Sequence, residues 1–314
     1  MSQSPSRAPE ASPDASGPGS CPLCDLAMVE KYRGIPAEET GALFSVDECP
    51  QCGLGQTRPH PRDLAPYYTP TYYGGRHGLT SRFCTRRRLR LLRRWAGPPA
   101  GRSLLDFGCG DGPFLLDARS QGWNVAGVER NPPASAGFPI VSNLDDLHGQ
   151  TFDCITVWHV MEHLEAPLPF LRRLRNHMNP GALLLLAVPN LASFQSRAAG
   201  ASWLALDIPR HLFHYTPDSL AKALQAGGFA LQELSYGELE YDVIGWSQSL
   251  LNRRLGGRNE FFKAMSGRPS NDSPLRKALQ VPLGLGLSLL AAPLAWAESK
   301  IARGGTLLAA ARTT

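Results

Sequence analysis

The sequence predicts an α/β fold: a doubly wound, mostly parallel sheet with helices on both faces, preceded by a small cysteine-rich module. Three observations predict it. Short aliphatic runs such as "SLLDF" and "FDCITVW" read as strands buried on both faces, and helical segments separate them. The stretch Ser103–Leu116, "SLLDFGCGDGPFLL", passes from strand to helix through Gly108, Gly110 and Gly112. Two C-x-x-C knuckles, Cys21/Cys24 and Cys49/Cys52, stand near the N-terminus.

The 314 residues, 43% hydrophobic and 19% charged, suffice for one full-sized core plus a small module. A net charge of +5 is too small to argue for nucleic acid by itself. Residues 1–20 are rich in Pro, Ser and Ala and lack aromatics, so they are expected to be a disordered tail. They carry no apolar stretch of the signal-peptide kind, and Glu10 and Asp14 speak against a mitochondrial leader; a cytoplasmic protein is expected.

The two knuckles are separated by 24 residues. Each brings two thiolates together on a tight turn, and four thiolates satisfy tetrahedral zinc. Disulfides are the competing reading, disfavoured by a reducing compartment. With no spare ligand, the zinc at Cys21, Cys24, Cys49 and Cys52 would be structural, stapling a ribbon over 21–60. Cys84, Cys109 and Cys154 are left for packing. Residues 61–98 connect the ribbon to the larger domain. They begin with a loop containing four tyrosines, suited either to covering a cofactor or flat substrate or to gluing the modules together. A helix follows over Ser81–Gly97, with Leu89/Leu92 and Leu91/Trp95 on one side and seven arginines over the rest. That basic face is either solvated or turned to an anionic substrate, acidic lipid or RNA phosphates.

The glycine stretch is the centre of the chemistry. Glycine accepts positive φ and lets backbone approach a ligand closely. Pro113 suits the first turn of a helix expected to run to about Gln121, capped by Gly122. Strand, glycine turn and helix N-terminus together make a nucleotide-type cofactor site. "NVAGVER" (Asn124–Arg130) is the next strand, ending in Glu129, whose carboxylate can accept from both hydroxyls of a ribose. Glu129 alone suits NAD or S-adenosylmethionine (SAM) equally. The G-x-G-x-G spacing behind Asp106 departs from the pyrophosphate fingerprint and favours SAM.

"LLDFGCGDG", "VAGVER", "FDCITVWHVMEHL" and "PGALLLLAVPN" resemble, in order and spacing, the motifs of class I SAM-dependent methyltransferases. The likeness is greatest to the branch that includes ubiquinone-pathway O-methyltransferases, and it covers Ser103–Tyr236 with a last strand near Thr306–Ala311. The resemblance implies a seven-stranded Rossmann-like sheet over 99–236 plus 303–314. It implies that Asp106 and the run Gly108, Cys109, Gly110 and Gly112 face the methionine part of SAM, Glu129 the ribose, and Arg130, Asn143 and Leu144 the adenine. "NPPASAGFPI" is shorter than the helix usual at that point in the branch.

The fourth strand, Phe152–Trp158, runs out into His159, Glu162 and His163, at the end where ligands bind in such a sheet. Methyl transfer to a hydroxyl needs alignment and a proton acceptor, and histidine is suited to the second task. His159 is the first candidate, with His163 and His214 next. In the resembled branch a glutamate stands where His159 stands and, with a Glu-His pair, is associated with a divalent metal; His159, Glu162 and His163 are therefore a candidate second metal set. Arg210, His211 and His214 fall on the loop after the fifth strand, where they either meet the acceptor or fix the loop. After the fourth strand there is no Asn/Asp-Pro-Pro-aromatic motif, and no Pro-Cys follows strand four or five, which weakens the case for nucleic acid as the substrate without excluding it. The expected acceptor is a small or lipidic molecule methylated at oxygen. The alternatives are an RNA methyltransferase and a non-catalytic SAM-binding protein.

An insertion over 237–302 precedes the last strand. Its segment 278–297 has twenty residues without a charge, interrupted by Pro282, Pro293, Gly284 and Gly286. A shallow hairpin touching a membrane is the expectation, ahead of a buried helix pair and a membrane span.

Overall fold

The computed structural model describes residues 19–68, 81–133, 136–256, 259–269 and 273–314. Nearly all of the expected N-terminal tail, and Tyr72 and Tyr73, lie outside these residues. The larger domain is built on a sheet of seven strands: β4 (Ser103–Phe107), β5 (Asn124–Val128), β6 (Ile140–Val141), β7 (Phe152–Trp158), β8 (Met178–Pro189), β10 (Phe229–Tyr236) and β11 (Thr306–Thr313). Their order is β10-β11-β8-β7-β4-β5-β6. The pairs from β6 to β8 are parallel, and β11 is antiparallel to both β8 and β10. The seven-stranded doubly wound sheet expected from the resemblance is therefore present.

β7 illustrates why these residues form a central strand. Successive side chains point to opposite faces. Ile155 and Val157 enter one core layer, while Cys154 and Trp158 enter the other. Helix α1 (Ser81–Ala96) closes the second layer, where Leu89 and Leu92 pack with Leu104, Leu115 and Trp123. It is thus part of the larger domain's core as well as a connector. Its basic face is partly spent inside the protein: Arg87 pairs with Glu238 and Glu240, and Arg94 with Glu233. Helix α2 (Pro113–Ser120) starts at Gly112, whose φ of +76° suits glycine.

The chain order reverses between β4 and β7. From β4 the chain winds outward to β5 and β6, then crosses back to β7 on the other side. The carboxyl ends of β4 and β7 are left adjacent, with a crevice between their loops.

The N-terminal module is less separate than its expected span 21–60 implies. Strands β1 (Val29–Pro36), β2 (Leu43–Glu48) and β3 (Gly55–Arg58) form an antiparallel sheet whose fourth strand, β9 (Phe213–His214), comes from the larger domain. Gly55 pairs with His214 and Gln56 with Phe213.

The insertion corrects the hairpin expectation. It forms helices α6 (Leu239–Leu255), α7 (Glu260–Ser266) and α8 (Pro274–Lys300), and α8 runs unbroken through Pro282 and Pro293. Proline removes one helical hydrogen bond and crowds the preceding turn, which bends a helix without ending it when packing holds both sides. Gly284 serves that packing: a Cβ there would lie 2.3 Å from the Phe261 ring. Ala291 and Ala295 bury against Trp246. The opposite face of α8 is exposed, with Leu275 and Leu289 each 79% and Leu290 73% accessible.

Candidate functional site

A cavity of about 770 Å³ occupies the crevice and extends under the insertion helices. One arm is lined by the glycine turn and by Glu129, Arg130, Asn143 and Leu144. Gly108, at φ +80°, lies against Val160, where a Cβ would come within 2.5 Å of the valine side chain. Gly110 N donates to Glu129 Oε2 at 2.8 Å, so the turn and the end of β5 are tied together. Asn143 caps the 3-10 turn Leu144–Leu147, its side chain accepting from Asp145 N.

Two residues of the expected cofactor set do not line the cavity. Asp106 is 3% exposed and turned to the neighbouring strand, its Oδ1 accepting from Thr156 Oγ1 at 2.6 Å. Burial raises its pKa to about 7. Gly112 packs on Phe138, which a Cβ would meet at 2.5 Å. Both hold the turn in shape from behind.

Sequence reasoning missed Arg88. It projects from α1 to the mouth of β4 and β7, 8% exposed, with its guanidinium 5.1 Å from the centre of the Trp158 ring. Its Nε is buried with no hydrogen-bond partner. A signal was available: Arg88 lies four residues from both Cys84 and Leu92, so an arginine interrupts the apolar stripe of the helix.

The other arm of the cavity gathers histidines and acids. His159 directly follows β7 at φ +55°. Its Nε2 lies 2.7 Å from Glu238 Oε2, and its Nδ1 lies 3.6 Å from Glu162 Oε1. Burial alone would lower its pKa, but the Glu238 charge and contacts with both carboxylates outweigh burial and raise it to about 9. Glu238 is itself fully buried and held by Arg87. The two carboxylates therefore favour the imidazolium form of His159, which is a poorer proton acceptor than a neutral ring.

His163 is in the opposite state. Burial, then the neighbouring His211, lowers its pKa to about 4, so the ring is neutral. Its Nδ1 lies 3.0 Å from the carbonyl oxygen of Arg210, which can only accept; Nδ1 therefore carries the proton and Nε2 the lone pair. Tyr68 Oη lies 3.1 Å from the same Nδ1. His211 is arranged likewise, its Nδ1 2.9 Å from Ala205 O. Glu162 is 1% exposed, and neither of its oxygens has a hydrogen-bond partner. Burial would neutralise it, but the opposed His159 and its other imidazole neighbours keep its pKa below the usual range, so it stays charged.

Ligand atoms of Glu162, His163 and His211 lie within 4.8 Å of one another. The expected metal set is thus altered: His211 replaces His159, which is engaged with Glu238. His214 is also corrected. It does not line the cavity; its Nε2 lies 3.0 Å from Thr57 Oγ1 in the seam with the N-terminal module, and burial lowers its pKa to about 3. Arg210 fixes the loop through Asp207, Glu39 and Tyr67 O.

In the N-terminal module the sulfur atoms of Cys21, Cys24, Cys49 and Cys52 also lie within 4.8 Å of one another, all as free thiols. Cys21 Sγ and Cys52 Sγ are 3.7 Å apart, close to the ~3.8 Å edge of a zinc–sulfur tetrahedron. Lys222 Nζ donates to Cys24 Sγ at 3.3 Å.

A family model described as a methyltransferase domain matches residues 76–234. A ubiquinone biosynthesis O-methyltransferase from Cereibacter sphaeroides is 29% identical over 178 residues, covering 50% of this chain and 71% of that protein. One from Xanthomonas axonopodis is 27% identical over 158 residues, covering 44% and 66%. A solved 1,6-didemethyltoxoflavin-N1-methyltransferase from Burkholderia thailandensis overlays with a TM-score of 0.49 at 16% identity, covering 85% of this chain and 97% of that one.

The His159 environment generates a first prediction. Imidazole nitrogen NMR should find His159 doubly protonated at pH 7.5 and His163 singly protonated. Because the folded pKa of His159 lies above its unfolded value of about 6.5, its contribution to stability is full below that pH and lost as pH rises through about 9. Glu238→Gln should bring the His159 midpoint down. A His159 that titrates near 6.5 in the wild-type protein would contradict the ion-pair account.

Proposed function

Since the chain belongs to the methyltransferase-domain family, we propose that it moves the methyl group of SAM to a hydroxyl oxygen of a small or lipidic acceptor. The observation that carries this reading is the division of one cavity into an arm at the glycine turn and an arm with a lone-pair imidazole beside a buried, charged carboxylate. SAM is the methyl donor. Glu129 receives the ribose hydroxyls, Arg130, Asn143 and Leu144 border the adenine, and Arg88 meets the carboxylate of the methionine part. The donor's methyl group then points to the end of β7.

The acceptor hydroxyl lies between His163 and Glu162. Its oxygen attacks the methyl carbon in line, the carbon–sulfur bond breaks, and S-adenosylhomocysteine leaves as a neutral thioether. The hydroxyl proton passes to His163 Nε2, and the neighbouring Glu162 carboxylate stabilises the imidazolium that forms. His159, held positive by Glu238, stabilises the charge that develops on the acceptor oxygen. A neutral imidazole is a base at working pH whereas an imidazolium is not, which is why the proton-accepting role moves from His159 to His163.

A second reading has one specific support: the buried Glu162 carboxylate and the His163 and His211 imidazoles bring ligand atoms within 4.8 Å of one another, a donor set that suits a divalent cation. Such an ion would act as a Lewis acid towards the acceptor oxygen. The four thiols fit structural zinc, which would staple the N-terminal module. The exposed leucine face of α8 is read as a surface that lies on an anionic bilayer, with Arg276 and Lys277 at one end and Lys300 at the other. It would hold the cavity at the inner face of the membrane, within reach of a lipidic acceptor.

Methyl transfer, SAM binding, metal content and vesicle sedimentation test these roles. With methyl-labelled SAM and a panel of phenols, catechols and hydroxylated lipids, His163→Ala should lower transfer by about 10²–10⁴ with SAM affinity retained. Arg88→Met should instead weaken SAM binding by about tenfold or more, and leave NADH unbound as in the wild type. Full activity in His163→Ala contradicts the proton-acceptor reading, and activity lost on adding EDTA while the cysteine module keeps its metal favours the divalent-ion reading. Elemental analysis of protein purified under reducing conditions should find one zinc per chain; no metal contradicts the ribbon. The wild type should sediment with phosphatidylglycerol vesicles, and Leu289→Asp/Leu290→Asp should release it with SAM affinity intact. A wild type that never sediments contradicts the membrane contact.

A further inference from the structure

The cysteine module and the acceptor arm meet through a buried hydroxyl. Thr57, on β3, is fully buried. Its Oγ1 donates to the carbonyl of His211 at 2.6 Å and accepts from His214 Nε2 at 3.0 Å. Its backbone N donates to the carbonyl of Leu212 at 3.0 Å, and Leu212 N donates to the carbonyl of Glu162 at 2.8 Å. A continuous run of hydrogen bonds therefore leads from the module's sheet to the backbone of two cavity residues, His211 and Glu162. The seam admits little movement: a Cβ on Gly55 would lie 2.9 Å from His214 Cβ, and one on Gly53 would lie 2.9 Å from the Thr216 methyl. Thr216 Oγ1 donates to the carbonyl of the knuckle residue Cys52 at 2.6 Å.

The same module reaches the cavity directly. Glu39, in the turn between β1 and β2, pairs with Arg210. Tyr68, just beyond the module, meets His163. Thr57, Glu39 and Tyr68 all bear on the acceptor arm. A valine at 57 would have the same shape, so the hydroxyl is there for its two bonds rather than for packing.

We propose that Thr57 is a positioning residue, through which the cysteine module sets the backbone of His211 and Glu162 and so completes the acceptor end of the site. This rests on the reading of that arm as the acceptor end. The module is then a working part of the site, and its order governs acceptor placement without governing SAM binding.

Amide hydrogen exchange with SAM titration tests this on the full chain, using Thr57→Val and Thr57→Ser. Thr57→Val should speed exchange over residues 160–164 and 208–216 by about tenfold or more. Exchange over residues 104–130 should be unchanged and SAM affinity should stay within about twofold. Thr57→Ser, which keeps the hydroxyl, should behave as wild type. Unchanged exchange at 160–164 and 208–216 in Thr57→Val overturns the proposal. So does faster exchange throughout with loss of SAM binding, which would make Thr57 a general stability residue. The exchange pattern needs no acceptor, so it stands or falls separately from the His163 activity test.

Discussion

The reversal of strand order between β4 and β7 is the constraint on which the rest of the molecule depends. Parallel strands joined by right-handed crossovers deliver all their carboxyl ends to one edge. Where the winding changes direction, the loops diverge and leave an opening that no helix fills. The groups proposed to meet SAM or the acceptor stand on that edge or lean over it. The glycine turn follows β4, Glu129 follows β5, and His159, Glu162 and His163 follow β7. Three elements outside the sheet close over the opening: α1 brings Arg88, the insertion brings Glu238, and the cysteine module reaches the loop that carries His211.

Within this opening, environment decides what each histidine does. His159 is pinned between two buried carboxylates, and the cost of burying a charge is offset because the pair is hydrogen-bonded and Arg87 backs it. His163, without a carboxylate in hydrogen-bond contact and with its Nδ1 tied to a carbonyl, stays neutral. One side chain type thus supplies a fixed positive charge and, within reach of the same cavity, a lone pair. Glu162 between them keeps its charge because of the imidazoles around it. In the proposed reaction, the group that stabilises developing negative charge is thereby separate from the group that accepts the proton.

Much of the fold was legible. β7 occupies the residue range read from the sequence, and β11 starts where the last strand was expected, because a strand buried on both faces is a plain aliphatic run. Residues of the first two motifs, Gly108, Cys109, Gly110 and Glu129, line one arm of the cavity. What remained illegible was set by distant partners. Nothing near His159 announces Glu238, 79 residues away, so its protonation could not be read locally. His214 looked available beside Arg210 and His211, yet β9 turns it into the seam against Thr57. Asp106 and Gly112 belong to the motif, and only packing reveals that they support the turn from behind. Pro282 and Pro293 read as helix breakers, whereas Phe261 and Trp246 hold α8 continuous across them.

The central claim is that a single cavity presents the donor methyl group to His163 and Glu162. A crystal structure of the protein with S-adenosylhomocysteine tests it most directly. The account predicts the ribose hydroxyls on Glu129, the amino-acid carboxylate against Arg88, and the sulfur facing the space between His163 Nε2 and Glu162. A nucleoside bound elsewhere, or a sulfur turned away from that space, would contradict it.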